Sequence, residues 1–380
     1  MGVPSTAVPP AAASSEGAPP EEVTPLEARP WCAGAVVYAG RSRTTLAHEG
    51  FGWAVRYASY DAGTDRGVEL PPAARVPARP DTLFDLASLT KLFTAVVAVR
   101  CVERGALDLD GRVASYAPEF TAAARHGITL RQLLTHTSGL RPELPLYACA
   151  GEAEREAMLR TEEPVGEVGA ARGYSDLNLL ILQRVLERVT GRPLDALVRD
   201  LVTGPLGMDD TRFNPPADLL PRIAATEDQR RPWAKLDRGM LRGVVHDENA
   251  HAMGGVAGHA GLFSTAGDLA RLCRALLGGG AYEGRRVLAA SSVELMLTAP
   301  GLGFEVDQPW FMGELAGRGA AGHTGFTGTS LVVDRATDSF VVLLANTVHP
   351  RRRPPVNTPR AAVATALARA VGAGAGPDGR

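Results

Sequence analysis

Apolar positions along this chain follow two rhythms, one near the ends and another in the middle. "GAVVYAG" (34–40) and "GFGWAVRYASY" (50–60) read as strands, with Gly and Ser punctuation between them. Near the other end, "TSLVVD" (329–334) and "SFVVLLAN" (339–346) are Val-rich runs joined by a short polar turn, which predicts an antiparallel hairpin. Between these ends the spacing becomes helical. A helix is expected from Ser88 to Arg104, with Gly105 as its stop. Its Leu, Phe and Val residues cover most faces, the pattern of a buried helix. "TLRQLLTHTSGL" (129–140) reads as a short helix ending at Gly139. "SDLNLLILQRVLERVTG" (175–191) is a longer one, capped by Ser175 or Asp176 and ended by Gly191. "STAGDLARLCRALLGGG" (264–280) and an Ala-rich run from about Pro359 add two more. Strands at both ends with helices between them predict a mixed α/β fold. Its antiparallel sheet is built from both chain termini, flanked by helices, and carries a large helical insertion. The α/β part is expected from about 31–85 and 290–372, and the helical part from about 86–289.

Composition narrows the function classes. The chain has 380 residues with a formal net charge of -2, so no general electrostatic case for nucleic acid or anionic membrane exists. No apolar run is long enough to span a bilayer. Residues 1–30 are rich in Pro, Ala, Ser and Glu and lack the apolar segment of a secretory signal, so they are expected to be a disordered tail. The opening "MGVPST" fits the loose myristoylation pattern, which is short and common. A flexible end is expected at 373–380. Cys32, Cys101, Cys149 and Cys273 are scattered and read as reduced thiols of a cytoplasmic protein.

Three segments carry candidate chemistry. In "FDLASLTKLF" (84–93), Ser88 and Lys91 stand at i and i+3, so hydroxyl and ammonium can meet on one helix face. A helix start also offers free N–H groups to an oxyanion formed on Ser88. Burial among Leu89, Leu92 and Phe93 is expected to depress the Lys91 pKa, so that a neutral amine activates the serine. The bland alternative is a capping serine with a solvated lysine. In "GYSDLN" (173–178), Tyr174 could shuttle protons, or merely staple a helix start. In "GHTGFTGTSLVVD" (322–334), glycines around His323 and Thr324 permit close approach of a ligand to the backbone, or simply form a turn.

Taken together, the order Ser88–Leu89–Thr90–Lys91, Tyr174–Ser175–Asp176, His323–Thr324–Gly325 resembles the serine penicillin-recognising enzymes. Within them it is similar to the class C β-lactamase-like family, which includes esterases, D-aminopeptidases and acyltransferases. "LLTHTSGL", "PLGMDDTRF" and "GLFSTAGDLARL" look like that family's recurring segments, and the resemblance runs from about residue 30 to 372. It implies that Ser88 is the nucleophile and that Lys91 and Tyr174 share the proton transfers. The backbone N–H groups of Ser88 and Phe326 would form the oxyanion hole. Asp176, His323, Thr324 and Gly325 would contact substrate. Two departures argue against an efficient β-lactamase. Asp176 stands where those enzymes usually have Asn, and would repel anions unless it pairs with Lys91. His323 stands where they usually have Lys, and is expected to be only partly charged near neutral pH.

A fourth segment, "GVVHDENAHAMGGVAGHAGLF" (243–263), gathers His246, Asp247, Glu248, His251 and His259, which look like metal ligands. The zincin spacing is not matched, and the segment reads as a buried polar loop shaping the acyl site. No metal or cofactor is expected, and no G-x-S-x-G elbow supports an α/β-hydrolase. The expected activity is acyl transfer through acyl-Ser88, from a small ester or amide to water or to an amine or alcohol acceptor. The alternatives are a D-amino-acid peptidase or weak β-lactamase, a metalloenzyme using the 246–259 cluster, and a non-catalytic binding protein on the same fold. The oligomeric state is left open.

Overall fold

The computed structural model describes residues 30–372. The expected tail at 1–30, apart from Pro30, and the expected flexible end at 373–380 lie outside the described residues. A seven-stranded antiparallel sheet dominates one side of the fold. Its strands are β1 (Gly34–Arg41), β2 (Thr45–Val55), β3 (Val76–Pro77), β4 (Glu305–Val306), β5 (Ala321–Thr324), β6 (Ser330–Asp334) and β7 (Ser339–Ala345). Their spatial order is β4-β5-β6-β7-β1-β2-β3, so the two ends of the chain meet where β1 pairs with β7, Val36 opposite Leu344. The Val-rich hairpin is β6 with β7, joined in the register Val332 opposite Val341.

The unbroken apolar run of β7 follows from burial on both faces of the sheet. Phe340, Val342 and Leu344 join the main core. Val341, one residue out of phase, packs with Phe311, Met312 and Leu367 in a second, smaller cluster. Five helices support the sheet or carry candidate site residues: α1 (Thr90–Glu103), α2 (Asp176–Thr190), α3 (Glu248–Ala252), α4 (Ala266–Leu277) and α5 (Thr358–Ala370). Helix α4 packs on β1 and β7, and α5 packs on β7. Helix α1 is buried almost all round, as its apolar pattern demanded, and lies against α2. Among the described residues no helix is long and apolar enough to cross a membrane.

Some boundaries move from expectation. The second strand begins at Thr45 and ends at Val55, because the N–H groups of Arg56 and Tyr57 both donate to His349 Nε2 at 3.1 Å and break the ladder there. Tyr57–Asp61 then pairs with Arg66–Glu69 in a separate hairpin. The helix expected from Ser88 opens instead as a 3-10 turn, Ala87–Leu89, and α1 proper starts at Thr90. Ser175 precedes α2 without capping it, since its hydroxyl donates to the Arg141 carbonyl at 2.6 Å. The helix within 129–140 covers only Leu130–Leu134, and Gly139 sits beyond it at φ +73°.

Candidate functional site

Ser88 stands on a turn that is forced rather than relaxed. Ala87, just before it, has φ +47°, a left-handed conformation that costs a residue with a Cβ about 1–2 kcal/mol. Asp85 holds the turn: its Oδ1 accepts the Ala87 N–H at 2.9 Å and its Oδ2 accepts the His246 N–H at 2.6 Å. The segment after β5 closes over this turn. Thr327 Oγ1 donates to the Asp85 carbonyl at 2.7 Å and Thr329 Oγ1 to the Leu86 carbonyl at 3.0 Å. Gly325 is required there, since a Cβ would lie 2.4 Å from the Leu86 carbonyl oxygen. Among the described residues, neither the Ser88 nor the Phe326 N–H donates to a protein acceptor.

Two side chains converge on the serine. Lys91 Nζ donates to Ser88 Oγ at 2.8 Å, and the Tyr174 hydroxyl bonds the same oxygen at 2.9 Å. Lys91 is wholly buried, and its ammonium also donates to the His259 carbonyl at 3.1 Å and lies 2.7 Å from Asp176 Oδ1. That last approach is a close ion pair with a carboxylate from the start of α2. The expected neutral lysine is thus corrected. Burial does push Lys91 down, but the charge of Asp176 and the neighbouring Tyr174 outweigh it and leave the pKa raised. Burial also raises the Tyr174 phenol, with Lys91 acting in the opposite sense. Part of the tyrosine ring is exposed, while its hydroxyl is turned inward to Ser88.

His323 also departs from expectation. Its Nδ1 donates to the Thr324 carbonyl at 2.7 Å, which leaves Nε2 as an acceptor, buried and without a hydrogen-bond partner. Burial, with the Lys91 charge nearby, lowers its pKa to about 3. The residue is a neutral acceptor at neutral pH, not a partial cation. Asp176 pairs with Lys91, the condition under which its repulsion of anions is relieved.

His136, within "LLTHTSGL", is not among the site residues expected from sequence, yet it holds Tyr174 in place. Its ring stacks on the tyrosine at 4.9 Å, and its Nδ1 accepts the Ser175 N–H at 3.1 Å. Burial, then the Lys91 charge, keeps it well below the usual histidine pKa and so neutral. The recurrence of its segment is the only sequence signal for it.

The histidine- and acid-rich segment does not gather into one metal cluster. His246 Nε2 lies 2.8 Å from Glu227 Oε2, and Arg352 joins Glu227 to Glu248. Asp247 caps α3 through the Ala250 N–H and pairs with His259 Nε2 at 2.9 Å. Among the described residues, Asp176, Asp247 and His259 do offer ligand atoms within 4.8 Å of one another. The Lys91 ammonium already supplies positive charge to that trio, 2.7 Å from Asp176 Oδ1. A second cation there would meet it at close range.

Comparison with known proteins gives the same picture. The Beta-lactamase family model matches residues 21–366. The chain is 35% identical over 312 residues to a putative D-alanyl-D-alanine carboxypeptidase of Escherichia coli, covering 72% of this chain and 71% of that protein. It is 30% identical over 353 residues to an N-acetylmuramyl-L-alanine amidase of Bacillus subtilis, covering 83% and 77%. In structure it is similar to a class C beta lactamase from Rhodobacter sphaeroides, with a TM-score of 0.69 and 23% identity over 91% of this chain and 96% of that one. With a sheet joined from both chain ends and a family match over most of its length, this chain belongs to the beta-lactamase family of serine hydrolases.

Proposed function

We propose that the protein is a serine acyl-transfer enzyme in which Ser88 is the nucleophile. The convergence of Lys91 Nζ and the Tyr174 hydroxyl on Ser88 Oγ, at 2.8 and 2.9 Å, carries this reading. Once Lys91 has given up its extra proton to solvent, Ser88 Oγ attacks an ester or amide carbonyl while its own hydroxyl proton passes to the Lys91–Tyr174 pair. The oxyanion is received by the Ser88 and Phe326 amides, and the leaving group departs with a proton from the Lys91–Tyr174 pair. A second cycle passes the acyl group to water or to an amine or alcohol. With Lys91 charged at rest, no base is preformed, so acylation should quicken as pH rises and Lys91 gives up its proton.

The named relatives favour an amide donor, of the kind cut by a carboxypeptidase or an amidase. Neutral His323 offers no charge to a free carboxylate, which favours donors blocked or uncharged at that end. The test is a panel of esters and D-amino-acid amides, each with and without added amine acceptor, with the products identified by mass. Amide product from the amine arm, absent in Ser88→Ala, supports transfer. Hydrolysis unaffected by any acceptor confines the enzyme to water. Turnover that persists in Ser88→Ala overturns the reading.

A further inference from the structure

Arg360 stands where a cation is out of place. It lies in the first turn of α5, just after Asn357, and a helix N-terminus favours negative charge. It is also buried, and burial lowers its pKa to about 10, so it carries its charge at neutral pH against a desolvation cost. Helix stability gives no reason for a cation at this position. The guanidinium reaches instead to the segment after β5. Its Nη2 donates to the Gly325 carbonyl at 2.8 Å, and its Nη1 donates to the side-chain oxygen of Asn357.

That carbonyl belongs to the same peptide unit as the Phe326 N–H. A trans peptide is planar, and its C=O and N–H point in opposite directions. Whatever grips the Gly325 oxygen therefore sets the line along which the Phe326 N–H points. Two donors grip it. The Gly328 N–H does so at 3.1 Å, closing a turn over 325–328, and Arg360 does so at 2.8 Å. The turn bond is neutral and supplies direction alone. Arg360 adds a positive charge. A charge-assisted bond to a carbonyl draws electron density through the amide, which makes the N–H on the other side a stronger donor.

We infer that Arg360 is a positioning residue that aims and polarises the Phe326 amide through the Gly325 carbonyl. It acts through the peptide rather than on the reacting atoms. This rests on the reading of Ser88 as nucleophile and of the Phe326 N–H as an oxyanion donor. Removing such a donor outright costs about 10²–10³ in kcat, so weakening one should cost about tenfold.

The test compares wild type, Arg360→Met, Arg360→Lys and Asn357→Ala, all as full chains, in pre-steady-state acylation by p-nitrophenyl acetate. Ser88 Oγ bonds to the acetyl carbon, its proton passes to the Lys91–Tyr174 pair, the ester C–O bond breaks, and p-nitrophenolate leaves. Arg360→Met should acylate about tenfold more slowly. The half-saturating ester concentration should stay within about twofold, because the donor matters most once charge has developed. Arg360→Lys keeps a charged donor and should fall between Arg360→Met and wild type. Asn357→Ala loosens the guanidinium from a partly exposed position, should slow acylation severalfold, and carries the test if Arg360→Met folds poorly. The second readout is inhibition by phenylboronic acid, in which Ser88 Oγ adds to boron to give a tetrahedral anion as its proton passes to the same pair. Its affinity should fall by about the same factor as the acylation rate in each variant. A misfolded fraction would lower the rate and leave that affinity unchanged. Wild-type acylation in both Arg360→Met and Asn357→Ala, equal loss in Arg360→Met and Arg360→Lys, or slower acylation with unchanged phenylboronic acid affinity overturns the proposal. Failure of wild type to release p-nitrophenolate through Ser88 would instead overturn the nucleophile reading.

Discussion

Asp176→Asn separates charge from shape at the Lys91 site. Asn is nearly isosteric, so contacts stay while the negative charge goes. Across 2.7 Å, Coulomb attraction at an effective dielectric of about 20 is about 6 kcal/mol. Asp176 is partly open to solvent, and the net loss should fall to about 3 kcal/mol, the low end for breaking a buried pair from one side. The sign comes from linkage. A lysine whose folded pKa lies above its unfolded value adds stability that is present below the unfolded value and is lost as pH rises through the folded one. Without Asp176, burial has the upper hand and lowers Lys91. Urea unfolding at neutral pH should therefore show Asp176→Asn less stable by about 3 kcal/mol, with the gap closing at strongly alkaline pH. In kinetics, the acid limb of kcat/KM for an activated ester should move to lower pH, since Lys91 becomes a free base more readily. An acid limb that stays in place, or moves to higher pH, would refute the claim that Asp176 sets the charge of Lys91.

Two further outcomes are expected from other parts of the structure. Asp268 is buried and its pKa is raised to about 6, although it accepts from the Asp210 N–H and the Thr211 hydroxyl. The native state therefore holds this proton to higher pH than the unfolded chain, and stability should fall as pH rises from about 4 to about 6 and stay level above. Asp268→Asn should remove that segment of the urea-derived pH profile, and an identical profile in the variant would contradict it. Gly325→Ala would put a Cβ 2.1 Å from Thr329 Oγ1 and 2.4 Å from the Leu86 carbonyl, prising the β5 segment off the Ser88 turn. It should cost about 1–3 kcal/mol and slow acylation about tenfold or more, and wild-type acylation with wild-type stability would rule the close approach unimportant.

Much of this was legible in the sequence, for reasons that individual residues make clear. Helix α2 and the β6–β7 hairpin carry strong local periodicity, so their patterns survive without tertiary information. Ser88, Lys91, Tyr174 and His323 came from ordered motifs, and the fold brings all four to one place. The protonation states were not legible. Lys91 looked like a neutral base because its near neighbours in sequence are apolar, whereas its partner Asp176 arrives from the start of another helix. His323 looked half charged because nothing local revealed its complete burial. His246 and Glu248 looked like metal ligands because Glu227 and Arg352, which satisfy them, lie outside the 243–263 segment, Arg352 more than a hundred residues after Glu248. The β2 boundary slipped for a related reason: much of that strand faces solvent, so its apolar alternation is weak.

The central claim is that Ser88 carries the acyl group. Its most direct measurement is intact-mass analysis of the full chain after brief exposure to an activated ester, with peptide mapping of the labelled protein. The account predicts one added acyl group per chain, mapped to Ser88 and absent in Ser88→Ala. Acylation at another residue, or equal labelling of Ser88→Ala, would contradict it.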